Sequence, residues 1–417
     1  MFLYMYIEKT LSNGLTVILE NIPYVKSVSV GIWAGVGSRA EEPGVNGLSH
    51  FAEHMLFKGT KKRTARDIAE ETDFMGGNLN AFTSRECTCY YAKVIDRDIE
   101  AALDILSDMY KNSLFAPDDV GREKKVITEE ISMYEDSPED LVLDGLAKAA
   151  WGDSSLGFTV TGAPETVMGF TRDDLHEFVR KYYNANNTVL AVAGSFSSED
   201  VLCAAEKYLG DIPGGESYTD YGAAEFKAGT FEREKDIEQS HIAFGFQGAG
   251  SGEDAIFAEA VVCNILGGAA SSRLFRKVRE ERGLAYSVYS VPESYKNAGM
   301  LYIYAGLSPE NFAEAEEIIL KETELLLKNG VSREELRRGV QQLRSEYILG
   351  LENVSARMQA IGKNRLMHEK IKSPDEIIAG IDAVDETKVN NIIKDIFGSA
   401  PARSTVISKG GNEYEEQ

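Results

Sequence analysis

One order of elements runs twice along this chain, with a period of roughly 210 residues, and that duplication narrows the folds open to it. Hydrophobic patterning predicts strands over 15–20 and 27–33 and a helix that stops near Gly59. A helix over 64–75 follows, closed by Gly76-Gly77, then a β-rich stretch over 79–95 and a helix over 99–111. A helix over 118–134, a buried strand over 188–193 and a helix around 198–209 complete the first copy. The segment Asp211-Ile-Pro213-Gly214-Gly215-Glu216-Ser217 reads as a linker that runs on through polar residues to about Gly229. The second copy restarts with a strand over 242–246 and a helix over 254–266 that ends at Gly267-Gly268. A strand-rich stretch over 286–307, a long helix over 310–328 and another opened by Ser332 follow. At 417 residues the chain is too long for one ordinary core. The expected organisation is one half over 1–211, a linker over 212–229 and a related half over 230–417.

The two copies differ where chemistry would lie. Between Gly47 and Met55 the first carries Leu-Ser-His50-Phe-Ala-Glu53-His54. At 100° per residue, Leu48, Phe51, Ala52 and Met55 share one stripe, and His50, Glu53 and His54 share the opposite one. Histidines at i and i+4 on one face can reach a single metal ion, with Glu53 one turn from His50. Two incidental surface histidines are the plain alternative. The corresponding part of the second copy, Ala258-Glu-Ala-Val-Val-Cys-Asn-Ile-Leu-Gly-Gly268, has no histidine, so only the first half can hold such an ion.

A metal held by two imidazoles needs a third protein ligand. In the helix over 118–134, Glu123, Val126, Ile127, Glu130 and Tyr134 recur at the spacing of a core-facing stripe. An unpaired carboxylate costs several kcal/mol to bury, and a cation is the most direct compensation. Periodicity therefore favours Glu130 or Glu123 over Glu129 as the further ligand. The alternative is a stripe only partly buried, with both glutamates in water.

His50-Phe-Ala-Glu53-His54 is the inverted zinc-peptidase motif H-x-x-E-H. With Gly37-Ser38-Arg39-Ala-Glu41, Gly47-Leu48-Ser49 and Met55-Leu56-Phe57-Lys58-Gly59-Thr60, the chain resembles the M16 metallopeptidases (inverzincins). Within that family it resembles the mitochondrial processing peptidase β subunit and its short bacterial relatives. The resemblance implies Zn2+ bound by His50, His54 and Glu130, with Glu53 as general base and Glu123 as a second carboxylate beside the site. Arg279 and Tyr286 resemble the family's R-x6-Y element, which implies contact with the bound peptide and help in positioning or stabilising the oxyanion. Otherwise Arg279 is a surface charge and Tyr286 packs in a strand. Gly77-Asn78-Leu79-Asn80-Ala81-Phe82-Thr83 resembles the edge strand on which family substrates lie, so Asn80, Ala81 and Phe82 become substrate contacts. The implied fold is α+β: two homologous halves, each a mostly antiparallel sheet packed by helices, closing as a clamshell on a peptide-binding chamber. The implied activity is zinc-dependent endopeptidase cleavage of extended or unfolded peptides. The implied assembly is a homodimer, or a heterodimer with a related subunit. The alternative is a non-catalytic partner or scaffold of the same family, though such members usually lose a motif residue and none is lost here.

Composition sets outer limits. A net charge of −23 argues against general nucleic-acid binding and leaves two readings, steering of basic peptides or simple solubility. No apolar run approaches the ~18 residues of a membrane span. Met1-Phe-Leu-Tyr-Met-Tyr-Ile7 is apolar but short and meets Glu8 and Lys9 at once, so a first strand and a cytoplasmic chain are expected rather than a leader. Four cysteines with no C-x-x-C spacing read as reduced packing residues.

Overall fold

The computed structural model of the chain describes residues 6–219, 221–222, 224–368 and 370–409. The start of the expected first strand, Met1–Met5, lies outside them. The first copy opens with β1 (Ile7–Thr10), β2 (Thr16–Asn21), β3 (Ser27–Ala34), α1 (Leu48–Leu56) and α2 (Ala65–Phe74). Next come β4 (Asn78–Thr83), β5 (Thr88–Ile95), α3 (Ile99–Asn112), α4 (Pro117–Asp136) and α5 (Pro138–Trp151). It closes with α6 (Pro164–Gly169), α7 (Arg172–Tyr182), β6 (Thr188–Gly194) and α8 (Ser198–Leu209). The second copy holds β7 (Thr230–Lys235), β8 (Ser240–Gly248), α9 (Ala255–Cys263), β9 (Ala285–Tyr295), β10 (Ala298–Leu307) and α10 (Phe312–Asn329). After these come α11 (Arg333–Gly350), α12 (Val354–Met367), α13 (Pro374–Asp382), α14 (Glu386–Phe397) and β11 (Ala402–Ser408).

The duplication is visible in the sheets. The first runs β1-β2-β6-β3-β5-β4 and the second β7-β11-β8-β10-β9. Apart from β1, strands in the same sequential rank occupy the same place in both. Each sheet is antiparallel except for one parallel pair, β2 with β6 and β7 with β11.

Both faces of each sheet are covered, which is why β6 reads as an unbroken apolar run. Leu190 and Val192 enter one core, with α1, α3, α4, α7 and α8. Val189, Ala191 and Ala193 enter another, with Trp33, Met358 and Ile361. The second sheet repeats this: Ile242 and Phe244 face α9, α10 and α14, whereas Ala243 joins the cluster of Leu141, Val142 and Leu146 on α5.

The helix on the second face comes from the opposite sequence half in each case. The chain clusters into two compact units, one of residues 1–131, 159–221 and 348–376, the other of residues 132–158, 222–347 and 377–417. It leaves the first unit within α4 and the second within α11, so α5 packs on β11 and β8 while α12 packs on β3 and β6. A single division near the 212–229 linker therefore does not describe these units. Each exchanged helix uses a glycine to approach its sheet: a Cβ on Gly362 would stand 2.2 Å from Trp33 Nε1, and one on Gly145 2.2 Å from the Phe231 ring.

Among the described residues no helix is long and apolar enough to cross a membrane. Cys87, Cys89 and Cys263 are buried free thiols, as packing residues should be, but Cys203 is exposed.

Candidate metal centre

The expected apolar stripe seats α1: Leu48, Phe51, Ala52 and Met55 are all buried. Gly47 begins the helix in the left-handed region (φ 98°), and a Cβ there would press on Thr161 O at 2.6 Å. Glycine offers no capping oxygen, and the Glu41 carboxylate takes that part. Its Oε2 accepts from Gly47 N–H at 2.8 Å and its Oε1 from Ser49 N–H at 2.6 Å. A carboxylate at this end also suits the helix dipole. Burial raises the Glu41 pKa above its usual value, against the lowering effect of these bonds.

The opposite stripe carries His50, Glu53 and His54. His50 is 8% exposed, and Glu53 and His54 are partly buried. Helix α4 brings Glu130 to them: Glu130 Oε2 lies 3.4 Å from His54 Nε2 and 3.8 Å from His50 Nε2. One ligand atom from each of the three residues lies within 4.8 Å of the others. Donors at ~2.0–2.1 Å around a tetrahedral zinc stand about 3.3–3.4 Å apart, so the three residues fit such an ion with little movement.

The electrostatics suit a cation. Burial, and then the neighbouring His54, lower His50 to about 4, so it is a neutral imidazole with a lone pair to give. Burial works against charge on His54, but the bond to Glu123 and the fields of Glu130 and Glu53 outweigh it and raise its pKa. His54 Nδ1 stands 2.9 Å from Glu123 Oε1, and Lys58 Nζ lies 2.7 Å from Glu123 Oε2. A carboxylate at Nδ1 fixes the proton there and leaves Nε2 for the ion. Burial raises the Glu123 pKa, but the His54 and Lys58 contacts outweigh it and hold Glu123 low. Burial raises the Glu53 pKa, and its Oε2 accepts from Thr83 Oγ1 at 2.5 Å.

The stripe expected on α4 needs correcting. The buried positions are Val120, Glu123, Ile127 and Ile131, whereas Val126 is 50% and Tyr134 41% exposed. Glu130 flanks the buried stripe, partly open to solvent, and Glu129 is exposed.

β4 is the terminal strand of the first sheet, so among the described residues one of its edges has no strand partner. Asn80 is exposed there, its Oδ1 accepting from the Ala81 N–H at 2.9 Å, while Ala81 and Phe82 are partly buried. In the second unit, Arg279 sits in a π-helical turn (Phe275–Glu280), its guanidinium 4.9 Å from the Phe275 ring centre and 5.2 Å from that of Tyr286. Tyr286 is 76% exposed, so core packing does not account for it. Three participants escaped the sequence reading: Glu41, Lys58 and Thr83. All lie in segments that carried the family resemblance, and Lys58 falls one turn beyond His54.

A family model described as "Insulinase (Peptidase family M16)" matches residues 16–163, and one described as "Peptidase M16 inactive domain" matches residues 169–343. The "Uncharacterized zinc protease YmxG" of Bacillus subtilis (strain 168) is 42% identical over 403 residues, covering 97% of this chain and 98% of the relative. The "Uncharacterized zinc protease SCO5738" of Streptomyces coelicolor is 39% identical over 411 residues, covering 95% and 88%. The crystal structure of a protease from Helicobacter pylori superposes with a TM-score of 0.91 at 21% identity, covering 97% of this chain and 100% of that one, a likeness of fold. With the inverted motif in place and relatives this similar along nearly its full length, the chain belongs to peptidase family M16.

Proposed function

We propose that the chain is a zinc-dependent endopeptidase acting on extended, unfolded peptide segments. The observation that carries this reading is the convergence of His50, His54 and Glu130, with the Glu53 carboxylate on the same helix. A zinc ion held by these three residues would supply Lewis acidity toward a water molecule and a peptide carbonyl. Glu53 takes the proton of the attacking water and returns it to the leaving amine. Glu123, backed by Lys58, keeps the His54 proton on Nδ1. The peptide adds as a strand along Asn80, Ala81 and Phe82 at the open edge of β4. That mode reads main chain before side chain, so broad specificity is expected. To Arg279 and Tyr286 we assign contacts to the substrate and to the developing oxyanion. Association with a second copy or a related subunit belongs to the same reading, and sedimentation of the purified chain tests it.

The decisive experiment is Glu53→Gln with a quenched peptide library, with and without chelator. The expected result is full zinc content and no hydrolysis. Loss of zinc, or residual full activity, would refute the assignment. An unsubstituted chain that binds zinc but cleaves nothing would instead favour the non-catalytic partner.

A further inference from the structure

The general base is held by a residue outside its own helix. Thr83 closes β4, which packs against α1, and its Oγ1 lies 2.5 Å from Glu53 Oε2. A threonine hydroxyl has one proton to donate. Its other near hydroxyl, Thr88 Oγ1, is 3.4 Å away and directs its own proton to Val36 O at 2.9 Å. Thr88 is thus left as a competing acceptor, but at 3.4 Å against 2.5 Å it loses to the carboxylate, so the Thr83 proton points at Glu53 and Oε2 accepts it.

Thr83 is itself well fixed. Alternation along β4 puts Ala81 and Thr83 on the face toward α1, where Ala81 packs on the core. Phe82 points the other way, against Trp33 at 5.5 Å and Tyr91 at 6.2 Å. The terminal torsion of a glutamate is otherwise broad. On a partly open helix face, one strong bond decides which oxygen looks outward.

We propose that Thr83 is a positioning residue: it pins Oε2 of Glu53 and so assigns Oε1 to proton transfer. This rests on the reading of Glu53 as the base. As the water oxygen bonds to the carbonyl carbon, its O–H bond breaks and the proton goes to Oε1. As the C–N bond then breaks, the nitrogen keeps the bonding pair and takes that proton from Oε1. Oε2 accepts from Thr83 throughout, and Glu53 ends as the carboxylate it began as.

The test compares Thr83→Val, which keeps the β-branched shape, with Thr83→Ser, which keeps the hydroxyl, both in the full zinc-loaded chain. Zinc per chain, kcat and KM on one quenched peptide are measured, together with affinity for the uncleaved peptide when each change is combined with Glu53→Gln. Loss of orientation should lower kcat of Thr83→Val by about 10- to 100-fold, with KM, peptide affinity and zinc content within about twofold. Thr83→Ser should recover to within about threefold of the parent. Parental kcat in Thr83→Val, a loss confined to KM or zinc, or a serine variant as slow as the valine one would overturn the assignment. Those results leave Glu53 as the base. A parent that does not cleave, or a Glu53→Gln chain that does, overturns both.

Discussion

Replacing Glu123 by glutamine tests how far the metal site depends on the residue behind it. The side chain is 5% exposed and faces two donors, His54 Nδ1 at 2.9 Å and Lys58 Nζ at 2.7 Å. An amide of the same shape has one accepting oxygen and one donating nitrogen, so it must turn a donor toward one of them. Lys58 is one-third exposed and can swing into water, which leaves that half of the contact worth little. His54 cannot, because its other nitrogen is committed to the site. The amide therefore keeps its oxygen on His54 Nδ1–H and turns its nitrogen toward Lys58, so what the ring loses is the negative charge that strengthens it as a ligand. Removing such a partner typically weakens metal affinity by about 10- to 100-fold, or roughly 1.4–2.7 kcal/mol. Lys58→Met should cost about threefold or less, as expected of an exposed partner. Zinc affinity measured by chelator competition, with melting curves to check folding, decides the matter. Equal affinity in Glu123→Gln and parent, or a larger loss in Lys58→Met, would refute the argument.

Two further predictions concern the scaffold. Gly362→Ala should destabilise by about 1–3 kcal/mol, because the added Cβ meets the ring of the fully buried Trp33, whereas Gly145→Ala should cost less, since Phe231 is only partly buried and can yield. Urea unfolding of both variants gives the ranking, and equal losses would contradict it. Glu335 is the second case: burial opposes its ionisation, but the Arg273 guanidinium at 2.7 Å and the Ser332 contacts outweigh it and set it at about 2. Its folded pKa is below the unfolded value, so its contribution is complete above about pH 4.5 and disappears as pH falls toward 2. After solvent screening this is worth about 1 kcal/mol. Glu335→Gln should lower stability at pH 7 by that amount and converge on the parent near pH 2, and a constant gap across that range would count against it.

What the sequence disclosed follows a physical line. The α1 stripe was legible because Leu48, Phe51, Ala52 and Met55 are a local pattern with one seating surface. The α4 stripe was read half right. Two sets of positions share Glu123 and Ile127, and both Ile131 and Tyr134 are apolar enough to extend them, so composition could not tell which set turns inward. Thr83 was hidden because period-2 alternation says which residues share a face, not what stands opposite that face. The edge position of β4 was likewise a matter of pairing, which only the family resemblance suggested. The exchange of α5 and α12 was the least legible. Their apolar residues announce a buried face, but nothing local says which sheet will cover it.

The same duplication explains why, among the described residues, one cluster able to hold a metal is found rather than two. In the second unit α11 crosses α9 as α4 crosses α1, and Gly339 stands against Val261 and Ile265, where a Cβ would meet them at 3.0–3.3 Å. In the first unit the corresponding crossing is Glu123 against His54 and Lys58. An acid, an imidazole and an ammonium on one side have as counterparts a glycine, a valine and an isoleucine on the other. The apolar set needs no cation, and a Cβ on Gly339 would already press on it. Placing a single ligand there would bury an unpaired polar group at a cost of several kcal/mol. The second unit presents the exposed Tyr286 beside Arg279, whereas in the first Glu41, Glu123 and Thr83 hold Gly47, His54 and Glu53 in turn.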